Sequence, residues 1–241
     1  MGRLFPLLML AYGGVAAQAN AAGACTVRGG ATTMPLVELY TSEGCSSCPP
    51  ADRWLSQRFA SGEANFLAFH VDYWDYIGWP DRFASATYSQ RQRNRVGAAG
   101  GSTVYTPQVM VGEDVRANWH REVAWKRALA QARGLARAAL TLELHRTAAG
   151  WRATIGAASR GKAVDGAQVW LARHIDGQVS TVRAGENRGR TLQHDRVVRQ
   201  LWGPWPLGAE AVSKQVVLTD EDAAWGVAVF VQDTDRKRSY F

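Results

Sequence analysis

Two cysteines stand two residues apart in Tyr40–Trp54, YTSEGCSSCPPADRW, where an apolar run gives way to a polar one. Thiols at that spacing support three kinds of chemistry. As a redox dithiol, Cys45 is the exposed attacking thiolate and Cys48 the inward-facing resolving thiol, since two intervening residues let the sulfurs meet across one turn. As half of a metal site the pair needs partners. A structural zinc takes four ligands, and no second C-x-x-C exists in the chain. His70 would instead complete a soft copper(I) site of two thiolates and an imidazole, or sit as a buried core histidine. As a staple, the bridge closes so small a loop that its effect on chain entropy is modest.

The neighbouring residues say what must position the pair. PLVELY, ending at Tyr40, reads as a buried strand leading into the cysteine loop. Ala51, Trp54, Leu55 and Phe59 then fall on one face of a helix, with Asp52, Arg53, Gln57 and Arg58 on the other. FLAFHV, Phe66–Val71, is apolar on both faces, as a central strand covered on two sides would be. The aromatic loop DYWDYIGWPD follows it. A weaker helix is predicted over Phe83–Val96, ended by GAAGGS. VYTPQVMVGEDVRA reads as a strand, a tight turn at Gly112 and a short return strand, and a helix is predicted from Trp119 to Ala136 with Asn118 as its cap.

After Arg137 the pattern changes. ALTLELHRT, GWRATIGAAS, AQVWLARHI, QVSTVRA, RVVRQLW, KQVVLT and WGVAVFVQD are short alternating or β-branched runs, punctuated by Gly, Asp, Asn and Pro. They predict an antiparallel sandwich. LWGPWPLG, Leu201–Gly208, reads as a Trp- and Pro-rich turn that plugs a gap between strands or between the two parts.

The order strand, C-x-x-C, helix, strand, helix, Thr-Pro, hairpin, helix resembles the thioredoxin fold over residues 34–137. More specifically, LVELYTSEGCSSCPPADRWL, HVDYWDYIGWPDRFAS, VYTPQVMV and Gly185-Glu186-Asn187 with Val197-Val198 are similar to a widespread family of exported bacterial proteins of unknown function. The resemblance implies an α/β thioredoxin-like domain at 32–137 followed by an all-β sandwich-like domain at 138–241. It implies a cis bond at Thr106-Pro107 opposite the dithiol, with the missing N–H of Pro107 leaving the Thr106 backbone free to hold an extended substrate. It places Glu38 close to the position where the fold keeps a buried acid beside the dithiol, one that can shuttle the proton of the resolving thiol; the alternative is that Glu38 points to an edge or pairs with an arginine. The family supplies no reaction, and fold alone does not.

Three departures from the thioredoxin pattern bear on the chemistry. Gly44 precedes Cys45, Ser46-Ser47 separate the cysteines, and Pro49-Pro50 follow them. Proline disfavours helical geometry in the residue before it, so the helix is expected to start at Pro49 or Pro50 and to act less directly on Cys45. Asp72, Tyr73, Trp74, Asp75 and Trp79 follow the end of the central strand, where open α/β sheets bind ligands. They either wall a cleft above Cys45 or pack as an aromatic cover against the sheet or the second domain.

The remaining composition bounds the partners. The chain has 241 residues, a net charge of +7 and ten tryptophans, with no long basic block. RQRNR and RKR are short enough to be solvated faces, so no nucleic acid is expected. MGRLFPLLMLAYGGVAAQANA, with an early Arg, an apolar stretch and A-x-A sites, reads as a signal peptide within residues 1–24. The mature protein is then periplasmic or secreted without a membrane span, in a compartment that permits disulfides. Cys25 is expected as a free thiol on a flexible N-terminal tail, with a lipid anchor as the alternative. No cofactor or resident metal is expected. The leading expectation is thiol–disulfide exchange with a protein or small-molecule thiol; the alternatives are a binding module with a structural disulfide and a copper-binding protein.

Overall fold

In a computed structural model, which describes residues 17–20, 24–161, 166–219 and 225–233, the chain runs through β1 (Ala17–Asn20), β2 (Ala24–Arg28), β3 (Leu36–Thr41), α1 (Pro49–Arg58), β4 (Asn65–His70), α2 (Ala86–Ala98), β5 (Gln108–Val111) and α3 (Glu122–Ala132). It continues with β6 (Ala138–Thr147), β7 (Gly150–Ser159), β8 (Ala167–Ile175), β9 (Gln178–Thr181), β10 (Thr191–His194), β11 (Val197–Pro206), β12 (Val212–Leu218) and β13 (Trp225–Asp233). Most of the segment read as a signal peptide, and the RKR run, lie outside the described residues. No helix among the described residues is long and apolar enough to cross a membrane.

A thioredoxin-like domain followed by a separate β-sandwich is not the architecture found. A single six-stranded sheet runs β13-β8-β11-β4-β3-β5 and so takes strands from both sides of residue 138. β3 and β4 are parallel, β5 is antiparallel to β3, and β11 joins β4 in parallel through Val197 and Ala68. The physical reason lies in β4. Buried on both faces, it needs a neighbour on each edge, since unpaired backbone groups in the interior are costly. β3 supplies one neighbour and β11 the other. One apolar cluster accordingly unites Tyr40, Leu67 and Phe69 with Ala172, Val198 and Phe230. The protein is chiefly β structure in several sheets.

The second sheet, β1-β2-β6-β7-β12, is antiparallel throughout. Its inner residues Leu142, Ala153 and Ile155 pack on Val169 and Leu171 of the larger sheet. β9 and β10 form a separate pair. The face of the large sheet that meets the second sheet also carries α1 and α3, at its β4-β3-β5 end, where Trp54, Phe66 and Trp125 meet edge to face and stacked around Leu39 and Leu55, while α2 covers the opposite face with Tyr88 and Val96. Burying each such side chain contributes about 2–3 kcal/mol.

Four local expectations are corrected. LWGPWP continues as strand to Pro206, with Trp202 and Trp205 packed into the second core, rather than forming a turn. The segment after Gly112 makes only an isolated bridge, Val111 to Asp114, in place of a return strand. α3 begins at Glu122, beyond the Asn118 expected to cap it. Cys25 is a free thiol, but it sits half-buried in β2 opposite Leu144 rather than on a loose tail.

Candidate functional site

β3 delivers the chain to Thr41, and a turn closed by Cys45 N–H to Ser42 O (3.2 Å) brings it to the first cysteine. A second turn, Cys48 N–H to Cys45 O (3.2 Å), folds the two cysteines together. They form a disulfide with three residues of sequence separation. Pro49 and Pro50 occupy the first helical positions, where a missing N–H costs nothing. Cys48 is the N-cap, yet its backbone is already helical at φ −77° and ψ −38°. The helix thus starts at Pro49, as the double proline predicts, although Cys48 itself keeps helical dihedrals. The Cys48 carbonyl accepts from Ala51 N–H (2.8 Å) and Asp52 N–H (3.1 Å), so the helix begins directly at the second sulfur.

Both cysteines are 0 % exposed, while Ser46 and Ser47 between them face solvent. Cys45 is thus not the exposed thiol that the spacing suggests. Two loops cover it. The first is the aromatic loop. Trp74 donates from Nε1 to Thr106 Oγ1 (2.7 Å), and Trp79 donates from Nε1 to Glu43 Oε2 (2.7 Å). A Cβ on Gly44 would lie 3.1 Å from Trp74 Cβ and 3.3 Å from Ile77 Cδ1, so only glycine lets this loop close down. Tyr73 and Asp72 face away from the cysteines, bonded to Gln92 and Ser89 of α2, and Asp75 accepts from Asp81 N–H (3.1 Å). Trp74 and Trp79 thus lie against the cysteine loop, and Ile77 and Trp79 also lie against Gly185 from the chain's second half.

The second cover is Gly185–Asn187. Asn187 donates from Nδ2 to Glu43 O and to Cys45 O, each at 2.9 Å. Glu186 accepts from Ser46 N–H (3.0 Å), and the Ser46 hydroxyl together with this N–H holds its carboxyl below the ordinary range. Gly185 takes φ +70° and packs against Ile77 and Trp79, so the two covers touch each other. On the open side, Ser47 Oγ lies 3.3 Å from Cys45 Sγ and donates to Thr106 O (3.4 Å). The Thr106–Pro107 bond is cis.

Glu38 is placed elsewhere. Side chains alternate along a strand, so Glu38 shares with Tyr40 the face of β3 that meets α2. Its carboxylate receives Arg91 Nε (2.8 Å), lies 2.9 Å from Arg95 Nε, and accepts from Gln232 Nε2 (3.1 Å). Burial pushes this carboxyl up, but the two guanidinium groups outweigh burial and hold it below its ordinary range. The alternative reading, pairing with arginine, is the one the geometry gives. Arg91 also lies over the Phe69, Trp170 and Phe230 rings, tying α2 to strands from both halves of the chain.

His70, read from the sequence as a copper ligand or a buried core histidine, is buried beside the cysteine loop, and the titratable groups around it escaped the sequence reading as site residues. His70 Nδ1 lies 2.6 Å from Asp81 Oδ2, and Glu43 N–H donates to the same oxygen (2.9 Å). Burial would keep the His70 ring neutral, yet Asp81 outweighs burial and raises it; reciprocally, His70 draws Asp81 down to about 2 against the effect of burial. The His194 ring stands edge-on to His70, centroids 4.9 Å apart. Its Nε2 lies 3.4 Å from Glu43 Oε1 and its Nδ1 3.9 Å from Asp52 Oδ2. Asp52 also accepts from Thr41 Oγ1 (3.2 Å). Burial raises the Asp52 carboxyl, with His194 and His70 opposing it but not reversing it. Burial also raises Glu43, where His194, Ser180 and Trp79 together outweigh it and leave the carboxyl lowered. Among the described residues, no three histidine, cysteine or acidic side chains converge as metal ligands. One signal was available in sequence: Asp52 follows Cys48 by four residues, one helical turn. His194 lay in a short strand that the pattern did not reveal.

Residues 36–232 match a family described as proteins of unknown function, DUF1223. The chain belongs to the DUF1223 family. No curated protein matches it. Among solved structures, protein AGR_C_4864 from Agrobacterium tumefaciens is similar at 23% identity and TM-score 0.54, over 86% of this chain and 97% of that one. HBP35 of Porphyromonas gingivalis is similar at 15% identity and TM-score 0.56, over 82% of this chain and 68% of that one. Both likenesses concern the fold alone. The matched DUF1223 span includes the cysteine loop, both covering loops and His194.

Proposed function

We propose that this DUF1223 protein exchanges disulfides with a thiol of a protein or small molecule, outside the cytoplasm, through Cys45 and Cys48. The observation that carries this reading is the setting of the disulfide. It lies at the first turn of α1, with exposed Ser46-Ser47 on one side and a buried cluster of two imidazoles and three carboxylates on the other. A helix N-terminus stabilises a thiolate, and buried acids and imidazoles move protons. A bridge used only as a staple needs neither. Cys45 is the sulfur attacked from outside, since its Sγ contacts Ser47 Oγ at the open rim. Thr106 borders that rim through its carbonyl. The apolar N-terminal stretch with its A-x-A sites supports export.

The burial of both sulfurs favours a second reading, a binding module in which the bridge is structural. A redox titration in glutathione and dithiothreitol buffers, read by mass after alkylation of free thiols, separates the two. Exchange predicts that Cys45 and Cys48 interconvert as a pair at a potential between about −270 and −120 mV. A bridge that stays oxidised well below that range would make it a staple.

A further inference from the structure

β9 and β10 end in a tip closed by Val182 N–H to Arg190 O (2.9 Å) and Gly189 N–H to Val182 O (2.8 Å). Its apex rests on the cysteine loop through Glu186 and Asn187. Arg183, Arg188 and Arg190 flank that apex in the chain, and all three are exposed. Arg53, exposed on α1 one turn past the exposed Pro50, adds a fourth guanidinium near the start of that helix. None of the four has an ion-pair partner among the described residues.

The acids of the neighbourhood face the other way. Glu43, Asp52 and Asp81 are buried, and Asp75 turns its carboxylate to the Asp81 N–H. Glu186 is the exposed acid of the tip, and it lies on the N–H of Ser46, between the two cysteines. The rim around Ser46 and Ser47 therefore combines unpaired positive charge with a backbone donor that already holds a carboxylate. Guanidinium groups bind carboxylates through two parallel hydrogen bonds. A rim of one sign also raises the local concentration of the opposite charge.

We propose that the thiol exchanged at Cys45 carries a carboxylate close to its sulfur, which the arginines of the tip draw to the place Glu186 holds on Ser46; this rests on the exchange reading above. The substrate thiolate attacks Cys45 Sγ, the Cys45–Cys48 bond breaks, and Cys48 Sγ leaves with the electron pair. A second substrate thiolate resolves the mixed disulfide. Two substrate thiols thus become one disulfide, and their two protons and two electrons end on Cys45 and Cys48. A small carboxylated thiol and a peptide cysteine flanked by acidic residues share this chemistry.

The test is the rate of reduction of the full chain by three thiols of similar size: 3-mercaptopropionate, 2-mercaptoethanol and cysteamine. Each rate is expressed per thiolate and divided by the same thiol's rate with an uncharged small disulfide, which removes intrinsic reactivity. The carboxylated thiol is expected to exceed the neutral one by on the order of 10-fold at low salt, with the cationic thiol slowest. This preference should shrink as the Debye length falls from about 30 Å to about 3 Å between about 0.01 and 1 M salt. The triple variant Arg183→Gln, Arg188→Gln, Arg190→Gln should lose most of it, at about 1.5- to 5-fold per arginine. Arg152→Gln, on the outer face of the second sheet, makes one such charge change elsewhere and should keep it. Glu186→Gln should raise it, because the competing carboxylate is gone. A preference that is absent, equal in wild type and triple variant, or not raised by Glu186→Gln overturns the proposal and leaves exchange standing. Absence of reduction by any of these thiols overturns exchange and this proposal together. Should the triple variant fail to fold, Glu186→Gln decides alone, and an unmoved or lowered preference overturns the assignment. Short cysteine peptides with acidic or basic flanks then identify the source. A preference for the acidic peptide above that for the small thiol assigns a protein substrate, and an equal one a small molecule.

Discussion

Asn187 and Cys45, 142 positions apart, are joined by a buried hydrogen bond of 2.9 Å, and the same amide group donates to Glu43 O. The second half of the chain thus holds the carbonyl of the first cysteine. Asn187→Ala removes two donors and strands two buried acceptors. The expected cost is roughly 2–4 kcal/mol, seen as a lower melting temperature. The cover should also loosen, so reduction by dithiothreitol is expected to be faster in this variant at a temperature where both proteins are folded. Equal rates would show that Asn187 braces the loop without gating it.

Gly44 makes the same argument from the other cover. A methyl group at this position meets Trp74 Cβ at 3.1 Å, Ile77 Cδ1 at 3.3 Å and the Trp74 carbonyl at 3.3 Å. The neighbours are a backbone and a ring root, neither of which yields easily. Gly44→Ala is expected to destabilise by about 1–3 kcal/mol, the range for overpacking. It should also weaken the Trp74 to Thr106 bond, which tryptophan fluorescence would report. An unchanged spectrum and melting temperature would mean that the aromatic loop moves aside freely.

Much of the site was legible from residue types. The C-x-x-C followed by a double proline and an amphipathic run places the cysteine pair at a helix start, because within a helix proline is tolerated only in the first turn. Both strands of the parallel pair are readable as apolar runs. The joined sheet was not, because β11 is an ordinary alternating strand whose choice of partner is decided by the unfilled edge of β4. His194 was equally opaque, and Asn187 stood out only within the Gly185-Glu186-Asn187 likeness, with no role attached. Each matters only because the β9–β10 pair folds back over the cysteine loop, a long-range contact that leaves no local periodicity. Glu38 misleads for the opposite reason. Its place in the strand suggests the thiols, but a one-residue alternation turns it to the α2 face, where Arg91 and Arg95 wait.

Glu38→Gln tests that placement. Removing the carboxylate that Arg91 and Arg95 share leaves buried positive charge uncompensated, at an expected cost of about 3–5 kcal/mol. Charge removal at the α2 face should leave the potential of the Cys45–Cys48 pair where it was. A potential that moves with Glu38→Gln would return this residue to the thiol chemistry.

The His70–Asp81 pair predicts how stability follows pH. The folded Asp81 carboxyl sits at about 2 against 3.8 when unfolded. Its contribution is complete above 3.8 and is lost as pH falls through about 2, an amount of about 2 kcal/mol. The His70 ring is raised above 6.5. Its contribution is complete below 6.5 and is lost as pH rises through the folded value. Both limbs describe one ion pair and are not added. Asp52 works in the other direction on the acid side, since its raised carboxyl costs stability as pH climbs past 3.8, but burial, its largest cause, is common to wild type and variant and the Asp81 charge adds only the smallest part. The measurement is therefore the difference in melting temperature between wild type and Asp81→Asn across pH. It is expected to be largest between about pH 4 and 6.5 and to shrink on both sides. A difference that stays constant from acid to alkaline pH would mean that Asp81 acts through its hydrogen bonds to the Glu43 and Phe83 amides, with His70 neutral throughout.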